Sequence, residues 1–449
     1  MDFLKRRLRQ LELNPPRVLA LGFAGLILIG AILLNLPIAS KSGESIGFIN
    51  ALFTSASSVC VTGLVVVNTG EYWSLFGHIV IICLIQMGGL GFMTLATLVA
   101  LILGKKITLK ERLIIKEQLN QETMSGLVKL TKYVILSTFA IEGLGSLFLS
   151  TRFIPRYGFI KGLWFSIFHS ISAFCNAGFD ITGNSIVPFK GDIVVNLTIA
   201  FLIIIGGLGF SVYIDMSRHK RFNRLSLHSK LVLVITLILI IAGMILFYII
   251  EWDNLGTLEP LNTKERIVAS FFQSVVTRTA GFNSIDMSKM KDTTTFIMII
   301  LMFIGGSPGS TAGGIKTTTF GAILLTTFTV IRGGRDVVAY KRRIPQEIIY
   351  RALTIASIGI FLVTVISMIL TISEGANFLD LLFETTSAFA TVGLTRGVTP
   401  DLTDFGKILI AITMYLGRVG PLTMAFAFAK RQKNSIKNYR YSEGNILVG

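Results

Sequence analysis

Several stretches of the chain contain no Asp, Glu, Lys or Arg, among them residues 18–38, 73–104, 193–214, 231–250, 293–315 and 352–373. As helices, each is long enough to cross the roughly 30 Å hydrocarbon core of a bilayer. Of the 449 residues, 52% are hydrophobic and only 15% charged, and the mean hydropathy is +0.70. A soluble protein of this size carries more charge. The fold class expected is therefore an all-α polytopic membrane protein. The first run is too long for a cleaved signal, and LPIASKSGES behind it offers no convincing small-x-small cleavage site.

The formal net charge of +17 could suggest a nucleic-acid partner, but its placement argues against one. Lys and Arg concentrate in alternate gaps between the apolar runs: the N-terminus (Lys5, Arg6, Arg7, Arg9, Arg17), 105–132, 218–230, 332–343 and the tail 430–440. The gaps between those hold most of the acids, among them Glu71, Asp180, Asp192, Glu251, Asp253, Glu259, Asp401 and Asp404. That is the positive-inside pattern. It puts both termini in the cytoplasm, requires an even number of spans, and lets the basic loops touch anionic membrane lipids. Cys60, Cys83 and Cys175 have apolar neighbours and no metal-ligand spacing, so they read as small buried residues. The four histidines are scattered.

Four short segments repeat one pattern: FTSASSVCVTGL (53–64), FHSISAFCNAGF (168–179), FFQSVVTRTAGF (271–282) and FETTSAFATVGL (383–394). Each begins with Phe (Phe53, Phe168, Phe271, Phe383) and reaches Gly at the same distance (Gly63, Gly178, Gly281, Gly393). Ser57, Ser172 and Ser387 precede their glycines by equal steps, where the third copy has Val275. Further on, inside a long apolar run, come GGLGF (88–92), GGLGF (206–210), GGSPG (305–309) and GRVGP (417–421). The unit is spanning helix, short segment, spanning helix, four times over. The expected divisions are 1–104, 105–217, 218–332 and 333–430, with a basic cytoplasmic tail, 431–449.

A helix rises about 1.5 Å per residue, so the short segments reach only about half-way across a bilayer. The gaps on both sides of each fall on the acidic, outer side. Each segment must enter from outside and return. Non-helical backbone at that depth is tolerated only inside protein or around a water-filled cavity. Four re-entrant segments imply pseudo-fourfold symmetry about a central pore, with eight spanning helices and four pore helices. Helix C-termini ending inside the bilayer point their negative dipole ends at the centre and favour a cation there. Glycine permits the backbone angles needed for carbonyls to line the axis, and carbonyl rings that replace a hydration shell are how potassium filters work. The expected ligands are the backbone oxygens of Val61, Thr62 and Gly63; Asn176, Ala177 and Gly178; Thr279, Ala280 and Gly281; and Thr391, Val392 and Gly393. These glycines could instead only let helices pack closely, and for the two GGLGF motifs that reading is preferred.

VTGL, NAGF, TAGF and TVGL, with GGSPGSTAGGIKTTT in the third unit and LGRVGP in the fourth, resemble the Trk/Ktr/HKT superfamily of cation transporters over essentially the whole chain. The short N-terminus and basic tail most resemble its bacterial Ktr-type membrane subunits. The resemblance implies a homodimer in the cell membrane with one pore per subunit. It implies potassium uptake promoted by sodium, K+ or Na+ being cargo and no covalent cofactor being needed. It also implies a cytosolic KtrA-like or KtrC-like ring of nucleotide-binding regulatory subunits, docked on the basic loops and tail. In plant relatives a serine in the first loop favours sodium, so Gly63 favours potassium.

Residues 305–319 interrupt the third unit's second helix. Pro308 removes a helix hydrogen bond, and Gly305, Gly306, Gly309, Gly313 and Gly314 weaken the helix further. Ser307, Ser310, Thr311 and Thr317 to Thr319 can satisfy the freed backbone groups, giving a polar loop just inside the ring of glycines that also contains Ala312. The resemblance makes this loop an intramembrane gate. Lys316 would put charge near the path, or else snorkel to the cytoplasmic interface. Arg418 sits deep in the last apolar run, where an ionisable residue faces a cavity or a partner. The resemblance makes it a barrier below the filter; the alternative is a structural ion pair. Arg278 and Glu384 could pair, and Glu142 reads as a packed hydrogen bond.

Two other function classes are weaker. An organic-solute transporter with broken helices would show two inverted halves, whereas these four units share one orientation. An intramembrane enzyme needs a nucleophile with a base, or metal ligands, in one place; Cys60 and Cys175 have no His suited to partner both. There is no P-loop, so nucleotide control would come from outside the chain.

Overall fold

The computed structural model describes residues 15–91, 94, 109–118, 127–428 and 444. The basic cluster Lys5–Arg9, the Lys105–Lys106 end of the first basic loop and the basic tail 430–440 lie outside the described residues.

Pro15 and Pro16 open α1 (Pro15–Leu34), where a missing N–H costs nothing. A short helix, α2 (Phe48–Cys60), and a second helix, α3 (Leu75–Leu90), follow it. An amphiphilic connector, α4 (Leu109–Gln118), leads to α5 (Leu127–Tyr157), α6 (Phe159–Phe174) and the bent pair α7 (Ile193–Leu208) and α8 (Phe210–Arg218). The third unit is α9 (Leu227–Glu251), α10 (Thr263–Val276), α11 (Asp292–Phe303) and α12 (Thr317–Ile331). A small hairpin of β1 (Val338–Ala339) and β2 (Arg342–Arg343) precedes the fourth: α13 (Gln346–Glu374), α14 (Phe378–Ala390), α15 (Asp404–Val419) and α16 (Pro421–Phe428).

By length and apolarity, α1, α5, α9 and α13 each suffice to cross a membrane, and the α7–α8 pair does so if its 90° bend lies within one span. These helices are apolar on both faces. On α9, Val232, Leu239 and Phe247 are buried, while Leu237, Ile238, Ile241 and Ile249 are exposed. Such a surface is a liability in water and the expected one in lipid. Cys60 and Cys175 are buried, as read from sequence, but Cys83 is exposed on α3.

Three of the second helices, α3, α7 and α15, start from side-chain caps; α11 follows Lys291 without one. Ser74 accepts from the Gly77 amide, Asp192 from the Val194 and Val195 amides, and Thr403 from the Gly406 amide. They also break. Gly91 (φ 80, ψ 135), Gly209 (φ 93, ψ 137) and Gly420 (φ 91, ψ 133) hold almost the same left-handed geometry at the helix ends. Interruption is therefore general to the second helices, and the third unit differs by lengthening it to residues 304–316.

Candidate functional site

The short helices α2, α6, α10 and α14 bring their C-termini together, and the loops beyond them close a ring. A Cβ built on Gly63 would meet the Ala177 carbonyl, one on Gly178 the Ala280 carbonyl, one on Gly281 the Val392 carbonyl and one on Gly393 the Thr62 carbonyl, each inside 3.0 Å. The loops thus touch in chain order, and the last returns to the first. Each glycine has positive φ (97°, 67°, 67° and 91°). Only a residue with no side chain combines that backbone with so close a neighbour.

Two residues before each glycine the backbone is left-handed again: Val61 (φ 60), Asn176 (φ 62), Thr279 (φ 67) and Thr391 (φ 52). Asn tolerates this; β-branched Val and Thr do not. Strain of this kind persists only where the surroundings enforce it. Part of that enforcement comes from the repeated serine. Ser57 Oγ accepts from the Gly63 amide at 3.0 Å, and Ser387 Oγ from the Gly393 amide at 3.0 Å. Ser172 instead donates to the Phe179 carbonyl at 2.8 Å.

The third loop is one residue tighter. The Thr62, Ala177 and Val392 amides reach five residues back, to Ser57, Ser172 and Ser387, but the Ala280 amide reaches only four, to Val276. Ser55, Ser170 and Ser274 tie their helices to the preceding ones through Ile27, Glu142 and Ile240 carbonyls. That register pairs the fully buried Phe53 and Phe168 with Phe272, not with the half-buried Phe271. The tandem phenylalanines hid the shift.

The GGLGF-type motifs do what close packing predicts and more. A Cβ on Gly88, Gly206 or Gly417 would strike the carbonyl of Val59, Phe174 or Phe389, in the last turns of α2, α6 and α14. The first glycine of each of these motifs lets a second helix lie against the end of a short helix, and the later glycine ends the second helix.

In the third unit, residues 304–316 form a strap against this ring. The Ser307 amide donates to the Gly207 carbonyl at 2.9 Å and the Thr311 amide to the Gly206 carbonyl at 3.2 Å. Thr311 Oγ1 lies 3.0 Å from Asn176 Oδ1, on the second loop. A Cβ on Gly313 would strike the Thr391 side chain, on the fourth loop, and one on Gly314 would press on Ala390. The strap therefore reaches two opposite members of the ring. Pro308, Gly309 and Ser310 form its far turn: the Gly309 carbonyl accepts from the Phe210 amide at 3.0 Å, and Ser310 Oγ donates to the Ser307 carbonyl at 2.7 Å. Ile304 and Ile315 pair at its base, and the Gly306 carbonyl accepts from the Thr317 amide at 3.0 Å.

Arg418 pins this arrangement. Its guanidinium donates to the Thr311 carbonyl of the strap and to the Gly88 and Gly89 carbonyls at 2.5 and 3.2 Å, where α3 ends. A cation suits the negative end of a helix dipole. The alternative of an ion pair is not met: among the described residues Arg418 forms no salt bridge. Lys316 does not snorkel; its Nζ turns back to the Ala312 carbonyl at 2.6 Å and the Gly313 carbonyl at 3.4 Å.

The suggested Arg278–Glu384 pair does not form. Arg278 points to the strap, 3.4 Å from the Gly305 carbonyl, while Glu384 accepts from Thr399 on the other side of its helix end. Glu142 is a packed hydrogen bond as read: both its oxygens accept from Gln86 Nε2, at 3.1 and 3.2 Å.

A family model described as "TrkH: Cation transport protein" matches residues 25–438. The chain belongs to the TrkH family of cation transport proteins. It is 47% identical over 442 residues to the Ktr system potassium uptake protein B of Bacillus subtilis, covering 98% of both chains. It is 44% identical over 455 residues to the potassium/sodium uptake protein NtpJ of Enterococcus hirae, covering 100% of both. The crystal structure of the potassium transporter TrkH from Vibrio parahaemolyticus superposes with a TM-score of 0.71, covering 91% of this chain and 83% of that one, at 16% identity. That likeness speaks for the TrkH fold alone. The family is one of ion transporters, not enzymes, and its apolar helices make this a membrane protein.

One residue beside the ring was read in the sequence only as one of the outer acids. Asp180, two residues past Gly178, accepts from His169 Nε2 at 2.8 Å, the Thr182 amide at 2.8 Å and the Gly183 and Ser185 amides at 2.9 Å. Burial pushes its carboxyl up, but His169 and Thr182 outweigh burial and hold it below the usual carboxylate range. The available signal was an Asp beside the only NAG loop, with a His at the second position of that repeat.

Proposed function

We propose that this chain is the potassium-translocating membrane subunit of a Ktr-type uptake system. The observation that carries the reading is the closed ring of four loops, each left-handed at the same two positions and each set beyond a helix C-terminus. Such a ring can offer backbone oxygens from Val61, Thr62 and Gly63 and their counterparts in the other loops to one dehydrated cation. The helix ends add negative potential there. The strap, with Lys316 and Arg418 beside it, occludes the ring on its inner side and acts as the gate.

The likeness to a potassium uptake protein B supports potassium as cargo, and Gly63 fits that choice; NtpJ's name keeps sodium as the second candidate. Each second helix and its continuation past the break form one span. This gives eight spans in four units, divided near 104, 217 and 332, with both termini in the cytoplasm. The subunit works as a homodimer in the cell membrane under a KtrA-like or KtrC-like nucleotide-binding ring.

The test is rubidium and sodium uptake into proteoliposomes containing the purified chain, with and without a candidate regulator. Rubidium uptake down its gradient, exceeding sodium uptake, is expected. Uptake of neither ion, or of sodium alone, refutes potassium translocation.

A further inference from the structure

The carboxamide of Asn176 joins the third loop, α7 and the strap. Its backbone belongs to the second loop. Its Nδ2 donates to the Arg278 carbonyl of the third loop at 3.0 Å and to the Ile203 carbonyl of α7 at 3.3 Å. Its Oδ1 faces Thr311 Oγ1 of the strap at 3.0 Å. Both side chains are fully buried. The Thr311 hydroxyl has one proton, and it also lies 3.0 Å from the Gly206 carbonyl and 3.2 Å from the Phe174 carbonyl. Only one acceptor can take that proton at a time, so the Asn176 contact can be exchanged without stranding the hydroxyl. Val61, Thr279 and Thr391 occupy the matching position in the other loops, and none carries a carboxamide.

Resting on the pore reading above, we propose that Asn176 is a specificity-determining residue that couples strap position to ring geometry. With the strap docked, Thr311 holds Oδ1, which aims Nδ2 at the Arg278 carbonyl and fixes the spacing of the second and third loops. When the strap leaves, Oδ1 loses its donor and the carboxamide can rotate. The Arg278 carbonyl is then released, and the two loops no longer hold one spacing. Cation discrimination therefore depends on the strap, although the strap contributes no oxygen to the ring.

The test is a double-mutant cycle on rubidium-over-sodium uptake in proteoliposomes, with wild-type uptake measured first. Thr311→Val preserves volume and removes the hydroxyl; Asn176→Ala removes both arms. Each is expected to lower the selectivity ratio about tenfold, the scale of one buried hydrogen bond, and the double variant to lower it no further than either single one. Thr311→Ser, which keeps the hydroxyl, is expected to recover most of the loss. In a background lacking residues 309–314, Asn176→Ala should have little further effect on the ratio. Multiplicative losses, or a Thr311→Val protein with wild-type selectivity, overturn the coupling while leaving the pore intact. If Asn176→Ala does not fold, the comparison of Thr311→Val with Thr311→Ser alone decides. A wild type that passes neither cation overturns the pore reading, and the coupling with it.

Discussion

Replacing Ser57 by Ala isolates what the repeated serine does. Ser57 is fully buried, and its Oγ accepts from the Gly63 amide at 3.0 Å. The substitution removes little volume and adds no charge. It leaves the buried Gly63 N–H without a partner, which costs about 1 to 3 kcal/mol. The first loop already holds Val61 at φ 60, a conformation that a β-branched residue leaves when allowed. The cost therefore falls on the loop's ordered state. At about 1.4 kcal/mol per factor of ten, the ratio of ordered to relaxed loop should drop roughly 5- to 150-fold. Rubidium-over-sodium uptake reads this directly, since a relaxed loop no longer sets the ring spacing. Ser172→Ala is the internal control. Ser172 donates to a carbonyl, and an under-satisfied carbonyl is tolerated better than an orphaned N–H. Its effect should be smaller. Ser57→Ala protein that is well expressed and as selective as wild type, or Ser172→Ala with the larger defect, would refute the reasoning.

Gly63→Ser places a Cβ against the Ala177 carbonyl at φ 97; strain of about 1 to 3 kcal/mol should lower potassium-over-sodium selectivity, measured by growth and uptake in a potassium-uptake-deficient strain, and unchanged selectivity counts against the ring as filter. Arg418→Gln removes charge-assisted bonds to the Thr311, Gly88 and Gly89 carbonyls, each about 1.5 to 3 kcal/mol, so rubidium flux should rise; an indifferent variant leaves only a structural role. Deleting residues 309–314 removes the strap's contacts with both opposite loops and should raise flux and weaken control by a regulator, whereas normal expression with unaltered flux excludes a gate. The lowered Asp180 carboxyl stabilises the second loop above the unfolded value of about 3.9 and loses that contribution as pH falls toward its folded value. External acidification through that range should degrade selectivity, and Asp180→Asn should show the defect already at neutral pH; identical acid profiles for the two proteins would exclude Asp180 as the cause.

Much of the architecture was legible because the bilayer admits few solutions. A charge-free run must be helical, and a segment too short to cross must stop inside the protein, so Phe53, Phe168 and Phe383 with their glycines marked the short helices and the loops beyond them directly. The third register was misread by one residue because Phe271 and Phe272 both satisfy the pattern in the sequence, and it takes the Ser274–Ile240 bond and the burial of Phe272 to distinguish them. The bends at Gly91, Gly209 and Gly420 were obscured because their motifs also supply close-packing glycines, and composition does not separate a glycine chosen for space from one chosen for φ. Side-chain direction was the least accessible. Arg278 lies late in its repeat and Glu384 at the start of its own, and one faces the strap and the other Thr399. Lys316 turns inward to carbonyls that exist only because the helix is broken there.

The strap also bears on how such a chain could arise. It spans from the second loop to the fourth and occupies the space where the four units meet. Four equivalent straps of that reach would collide there, so a tetramer of identical single units could not carry one per unit. Tandem fusion removes that constraint: once the units share a polypeptide, one copy can diverge while three keep the short glycine bend. A strap that belongs to only one quarter of a nearly symmetric ring is thus a property that duplication within a single gene makes possible.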